Sequence, residues 1–166
     1  CYASHTNFDV MGMGDEAAER LALEERSVLE ITFEDELSQE GIGRVGILPE
    51  CMTLRECASY VKETFDLDTV KVFGEEDRKV RKAAVVPGAG KDYIRQAVRA
   101  GADVYITGAI GHHDGIDALE QGLTIIDAGP FGVEQIFVPY MKEFLSRELP
   151  SLHLLSARQQ EPFWYE

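Results

Sequence analysis

Basic residues are scarce in this chain. Over 166 residues, 16 Lys and Arg stand against 30 Asp and Glu, a formal net charge of −14. That excess argues against a nucleic-acid partner, because sequence-independent affinity for a phosphate backbone comes from Lys and Arg outweighing the acids. Long apolar runs are also missing. None approaches the roughly 20 residues needed to cross a bilayer, and no basic start followed by an apolar core marks a secretory leader. The expected setting is cytoplasmic, without a membrane partner. The three cysteines, at positions 1, 51 and 57, are odd in number and badly spaced for a disulfide framework or a C-x-x-C zinc motif. Reduced thiols are expected, with Cys57 at an apolar helix position as core filler. An initiating Met is absent as well: Cys1 opens a stretch that already reads as a strand running into a polar turn, so the chain is expected to be a fragment.

What is present is enough apolar material for a core, at 45% hydrophobic residues. After the strand expected at Cys1 to Ser4, Gly14 to Glu25 carries Ala17, Ala18, Leu21 and Ala22 at helical spacing behind Asp15, which predicts a surface helix. Glu30 to Gly46 is acidic, glycine-containing and weakly periodic, and is expected to be a connector. That divides the chain into residues 1–46, the end of a first α/β half plus connector, and 47–166, a second half. Thr53-Leu54-Arg55-Glu56 is a capping box ahead of Leu54, Cys57, Ala58, Val61 and Phe65. Strands are predicted at Val70 to Phe73, Ala83 to Val86, Val104 to Ile106 and Leu123 to Ile126, with a helix at Tyr93 to Ala100 and another between the last two strands. This alternation implies an α/β fold with a largely parallel or mixed sheet and helices on its faces. A helix from about Phe131 to Arg147, kinked at Pro139, and a closing strand at Leu152 to Leu155 complete the reading. The aromatic ending Pro162-Phe163-Trp164-Tyr165 is expected to pack on a neighbour.

The polar residues gather where strands end, which is where open α/β sheets collect ligands. Val86-Pro87-Gly88-Ala89-Gly90 joins a strand to a helix. It lacks both G-x-G-x-x-G and the Lys-Ser/Thr ending of a P-loop, so it is either a tight turn or a contact for a phosphate or carboxylate. His112-His113-Asp114 offers residue types that metals and proton transfers use, yet neighbours on a helix point about 100° apart. Hydrogen bonding to a substrate, a solvated surface and metal ligation all stay open there. His5-Thr6-Asn7-Phe8-Asp9 is either a self-satisfied polar turn or one wall of a crevice. In Asp127-Ala128-Gly129-Pro130-Phe131-Gly132-Val133-Glu134, positions 130 and 134 share a helical face, but proline has no donor atom. Taken alone, Glu134 reads as a first-turn carboxylate favoured by the helix dipole.

Taken together, His5-Thr6-Asn7-Phe8-Asp9, Gly43-Arg44-Val45-Gly46 before Leu48-Pro49, Gly88-Ala89-Gly90, Thr107-Gly108 with His113-Asp114, and Asp127-Ala128-Gly129 followed by Glu134 resemble the Nif-three-like dinuclear metal centre proteins, also described as GTP cyclohydrolase 1 type 2 homologues. The match runs in order from Tyr2 to the PFWYE ending. The resemblance implies two similarly built halves, a ring-like homohexamer, and two divalent metal ions per subunit in an internal crevice. Carried over by position, Asp9 and Glu134 are the metal ligands. An N-terminal His-His segment has no counterpart, Pro130 replaces the motif histidine, and His112 and His113 are not the missing pair. Two carboxylates without imidazoles suit weak magnesium or manganese binding better than zinc, iron or nickel. His5 and His113 are the proton-transfer candidates. Two functions are expected: a metal-dependent hydrolase of the cyclohydrolase kind, acting on a nucleotide or other small molecule with an incomplete metal site, or a non-catalytic oligomeric or partner-binding protein that keeps the fold.

Overall fold

The computed structural model describes residues 8–35 and 39–157. A π-helical turn, Asp9–Met13, leads into helix α1, Gly14–Arg20. Strands β1 (Glu24–Glu34) and β2 (Gln39–Thr53) follow, then α2 (Leu54–Phe65), β3 (Lys71–Phe73), β4 (Lys79–Ala89), α3 (Ile94–Arg99) and β5 (Val104–Gly108). Helix α4 (His112–Glu120), β6 (Thr124–Asp127), α5 (Pro130–Glu134) and α6 (Phe137–Glu148) complete the order. The strands form one mixed sheet in the order β1-β2-β4-β5-β6-β3. Only β4, β5 and β6 are mutually parallel, with β1, β2 and β3 joining antiparallel.

The parallel centre is apolar because helices cover both of its sides. Alternate residues feed opposite faces. Ala83, Val85, Val104, Ile106 and Ile126 pack with α1, α2 and Val133 of α5, whereas Ala84, Val86, Tyr105 and Ile125 pack with Ile94, Ala97 and Ala118 of α3 and α4. Helix α2 starts where its capping box predicts: Glu56 N–H donates to the Thr53 hydroxyl, and the Glu56 carboxylate accepts the Thr53 amide at 2.7 Å.

Four expectations are corrected. Glu30 to Gly46 is not a connector; its described residues belong mainly to the β1–β2 hairpin, and Gly46 lies inside β2 opposite Ala83. The first helix ends at Arg20 instead of reaching Glu25, because Ala22 turns to a φ of 50° and β1 begins at Glu24. The last helix is two helices rather than one kinked rod. Pro139 has no amide to donate to the Gln135 carbonyl, so the ladder is interrupted at Gln135 and Ile136 and a new helix starts with Pro139 in its first turn. Leu152 to Leu155 forms no strand, pairing with no ladder among the described residues, and Leu155 is 84% exposed. The strand expected at Cys1 to Ser4 and the aromatic ending lie outside the described residues.

Candidate functional site

The parallel strands β4, β5 and β6 end side by side, with Ala89 opposite Gly108 and Thr107 opposite Asp127. Their carboxyl ends carry the polar residues noted in the sequence. Gly88 has a φ of 77°, a conformation that L side chains rarely adopt. A Cβ at Gly88 would come within 2.5 Å of Glu134 Oε1. Glycine therefore serves two purposes here, turning the strand end and leaving room for the carboxylate to lie against the backbone. Glu134 closes the five-residue helix α5 instead of occupying its first turn, so the helix-dipole reading is withdrawn.

The glycine loop after β4 is held by its neighbours on β5. Tyr105 donates its hydroxyl to the Gly90 carbonyl at 2.8 Å, Thr107 donates to the Gly88 carbonyl at 3.3 Å, and the Gly90 amide donates to the Gly108 carbonyl. A side chain at Gly90 would collide with both hydroxyls. These bonds describe a tight turn. Burial pushes the Tyr105 phenol well above its ordinary range, so it stays a neutral donor.

Asp127, 6% exposed, organises the next two turns. Its carboxylate accepts from the amides of Ala109, Ile110 and Gly129, each at 3.0 Å. Lys71 Nζ lies 2.9 Å from Asp127 Oδ2 and donates to the Ile110 carbonyl at 2.7 Å. Ala109, with a φ of 58°, is kept in its left-handed conformation by this arrangement. The Gly129 amide fixes the entry to α5, and so the position from which Glu134 projects. Lys71 went unnoticed in the sequence because nothing in a short run of Lys-Val-Phe signals a distant carboxylate.

Asp9 begins the π-helical turn that precedes α1. The preceding Phe8 is wedged against α6, its ring centroid 5.1 Å from those of Phe137 and Tyr140. Tyr93, in the turn after Gly90, has its phenol pushed up by burial first and then by the charges of Asp92, Glu30 and Asp9. Arg44 ties this region together: Nε and Nη2 grip both Asp15 oxygens at 2.6 and 2.7 Å, while Nη1 donates to the Gly41 and Gly43 carbonyls.

His113 sits in the first turn of α4, exposed, and its ring centroid lies 5.6 Å from that of His112. His5 lies outside the described residues. Among the described residues, no group of three or more His, Cys, Asp or Glu is gathered to hold a metal ion. Pro130, the first residue of α5, presents only ring carbons beside Glu134. The described donors do not by themselves fit a dinuclear centre.

A protein of Clostridium acetobutylicum named GTP cyclohydrolase 1 type 2 homolog is 35% identical over 172 residues, covering 99% of this chain and 64% of the relative. One of the same name from Streptococcus pneumoniae is 37% identical over 153 residues, covering 88% of this chain and 55% of its own length. The chain thus spans somewhat less than two thirds of these relatives. The crystal structure of a Bacillus cereus protein related to NIF3 superposes with a TM-score of 0.88 at 24% identity, covering 99% of this chain and 73% of that one. No helix among the described residues is long and apolar enough to cross a membrane. With residues 1–162 matched by the model for Duf34/NIF3 (NGG1p interacting factor 3), the chain belongs to that family.

Proposed function

We propose that this chain is a metal-binding member of its family with an incomplete divalent site, in which Asp9 and Glu134 supply carboxylates at the carboxyl end of β4. The observation that carries the reading is the Glu134 carboxylate lying against Gly88, at a left-handed glycine that leaves it space. Oxygen donors of this kind favour magnesium or manganese over zinc. If the complete protein is a hydrolase of the cyclohydrolase kind, as the names of its relatives suggest, its substrate is a nucleotide or similar small molecule, and His5 and His113 are the groups to carry protons. Self-assembly into a homohexamer belongs to the same proposal.

Pro130 favours a second reading, a partner-binding protein that keeps the fold without the centre, since no side-chain donor stands one helical turn before Glu134. Metal titration of purified protein separates the two. The first reading expects weak, saturable manganese binding that Glu134→Gln abolishes, and tighter binding in Pro130→His. Binding that ignores both substitutions overturns it, as does stoichiometric tight zinc in the unaltered chain.

A further inference from the structure

Between β4 and β5 the parallel ladder is interrupted at the crevice itself. Val85 pairs with Ile106 and Ala89 with Gly108, so Val86, Pro87 and Gly88 of β4 together lie opposite Thr107 alone. A bulge of this kind leaves main-chain groups without ladder partners. Pro87 has no amide to donate, and the buried Gly88 carbonyl meets the Thr107 hydroxyl at 3.3 Å. A side chain thus stands in for the missing rung. The same residue reaches the opposite wall through its main chain: the Thr107 carbonyl accepts the Ala128 amide at 2.8 Å, just ahead of α5. Its neighbour Gly108 lies flush against the entry to that helix, since a Cβ there would run into the Gly129 carbonyl and the Pro130 nitrogen.

Thr107-Gly108 is therefore wedged between the two segments that enclose the Glu134 carboxylate, the bulge bearing Gly88 on one side and α5 on the other. Thr107 is wholly buried and acts on the crevice only through what it holds. We infer that Thr107 is a positioning residue: its hydroxyl keeps the bulge in the shape that seats Glu134, and so sets how fully that carboxylate stands ready for a divalent ion. The second half rests on the reading of Glu134 as a metal carboxylate, whereas the first does not. Removing one neutral hydrogen bond shifts the equilibrium between seated and unseated carboxylate by about three- to tenfold, which bounds the loss of affinity it should cause.

Two substitutions in the 166-residue chain separate the hydroxyl from the packing. Thr107→Val removes the hydroxyl at nearly constant shape, and Thr107→Ser keeps the hydroxyl but loses a buried methyl group. NMR of the metal-free protein reads the Gly88 amide and the Glu134 side-chain carboxyl resonances, and manganese titration reads affinity. Thr107→Val should move both resonances and weaken manganese by about three- to tenfold. Thr107→Ser should melt earlier than the parent yet leave the resonances and the affinity close to it. Thr107→Cys, similar in size to serine with only a weak S–H donor, takes the place of the valine variant should that one not fold, and is expected to behave like it. A merely structural role makes the site signals follow the loss of stability in every variant, and that pattern overturns the inference. Unchanged Gly88 and Glu134 resonances in Thr107→Val also overturn it. A parent chain that binds no manganese overturns the metal reading instead, and the resonances then decide the role of Thr107.

Discussion

Lys71 and Asp127 meet at 2.9 Å across the first register pair of β3 and β6, and the same lysine donates to the Ile110 carbonyl while the same carboxylate accepts the Ile110 amide. The pair brackets the backbone of one residue, Ile110, from both sides and holds the turns that follow β5 and β6. Asp127→Asn keeps the shape and removes the charge that three amides and one ammonium face. It should destabilise the fold by about 2 kcal/mol, since a buried partner is lost. Lys71→Met should lower stability by less than about 1 kcal/mol, because the lysine side chain is 56% exposed and screened by solvent. Urea unfolding of both variants checks the ranking, and equal losses would contradict it.

Gly88→Ala should weaken the fold and the proposed site together. An alanine there must adopt a left-handed conformation, worth about 1–2 kcal/mol, and its methyl must displace the Glu134 carboxylate. Denaturation curves report the first effect and manganese titration the second. Gly101→Ala is the control, since that glycine shares the positive φ and has nothing within 4 Å of its would-be Cβ, so stability should fall without any change in metal affinity.

The cap of α2 should make stability depend on pH. Hydrogen bonds from the Thr53 backbone and side chain hold the Glu56 carboxyl below its ordinary value of 4.5. A carboxylate whose folded pKa is depressed stabilises above its unfolded pKa and loses that contribution as pH falls through the folded value. Glu56→Gln should therefore be less stable than the parent at neutral pH, with the gap closing below about pH 4. Thermal melts across that range test it; a gap that persists in acid would assign the effect to packing.

Cys51 and Cys57 should differ sharply toward alkylation. Cys57 is buried within α2, where burial pushes its thiol up to about 12, while Cys51 is exposed on β2. The thiolate is the reactive form. Iodoacetamide at neutral pH should modify the Cys51 peptide and spare the Cys57 peptide until denaturant is added, as read by mass spectrometry. Modification of Cys57 in the folded chain would mean that α2 opens locally.

The contrast between α2 and the β1–β2 hairpin explains what was legible beforehand. Thr53 and Glu56 act on each other three residues apart, and the apolar runs of β5 and β6 are buried on both faces, so local sequence carries the signal. β1 is exposed along most of its length and shows no alternation of apolar and polar residues. Gly41 and Gly46 read as chain breakers, yet they sit within β2 because side chains there would run into the carbonyls of Glu30 and Glu24. Asp127 and the glycines after β4 could be singled out by their place at strand ends, but the lysine that organises Asp127 and the carboxylate of Glu134 that fills the space at Gly88 are set by contacts between distant segments. The break before α6 escaped notice because a proline inside an apolar stripe suggests a bend at itself, whereas its fixed φ suits a new helical start.

Arg44 gives the molecule a mechanical property. Its guanidinium clasps Asp15, just past the turn bearing Asp9, and also grips two carbonyls at the root of the hairpin. The arm is thus levered on the segment that carries Asp9, so any displacement of the hairpin reaches that segment through one side chain.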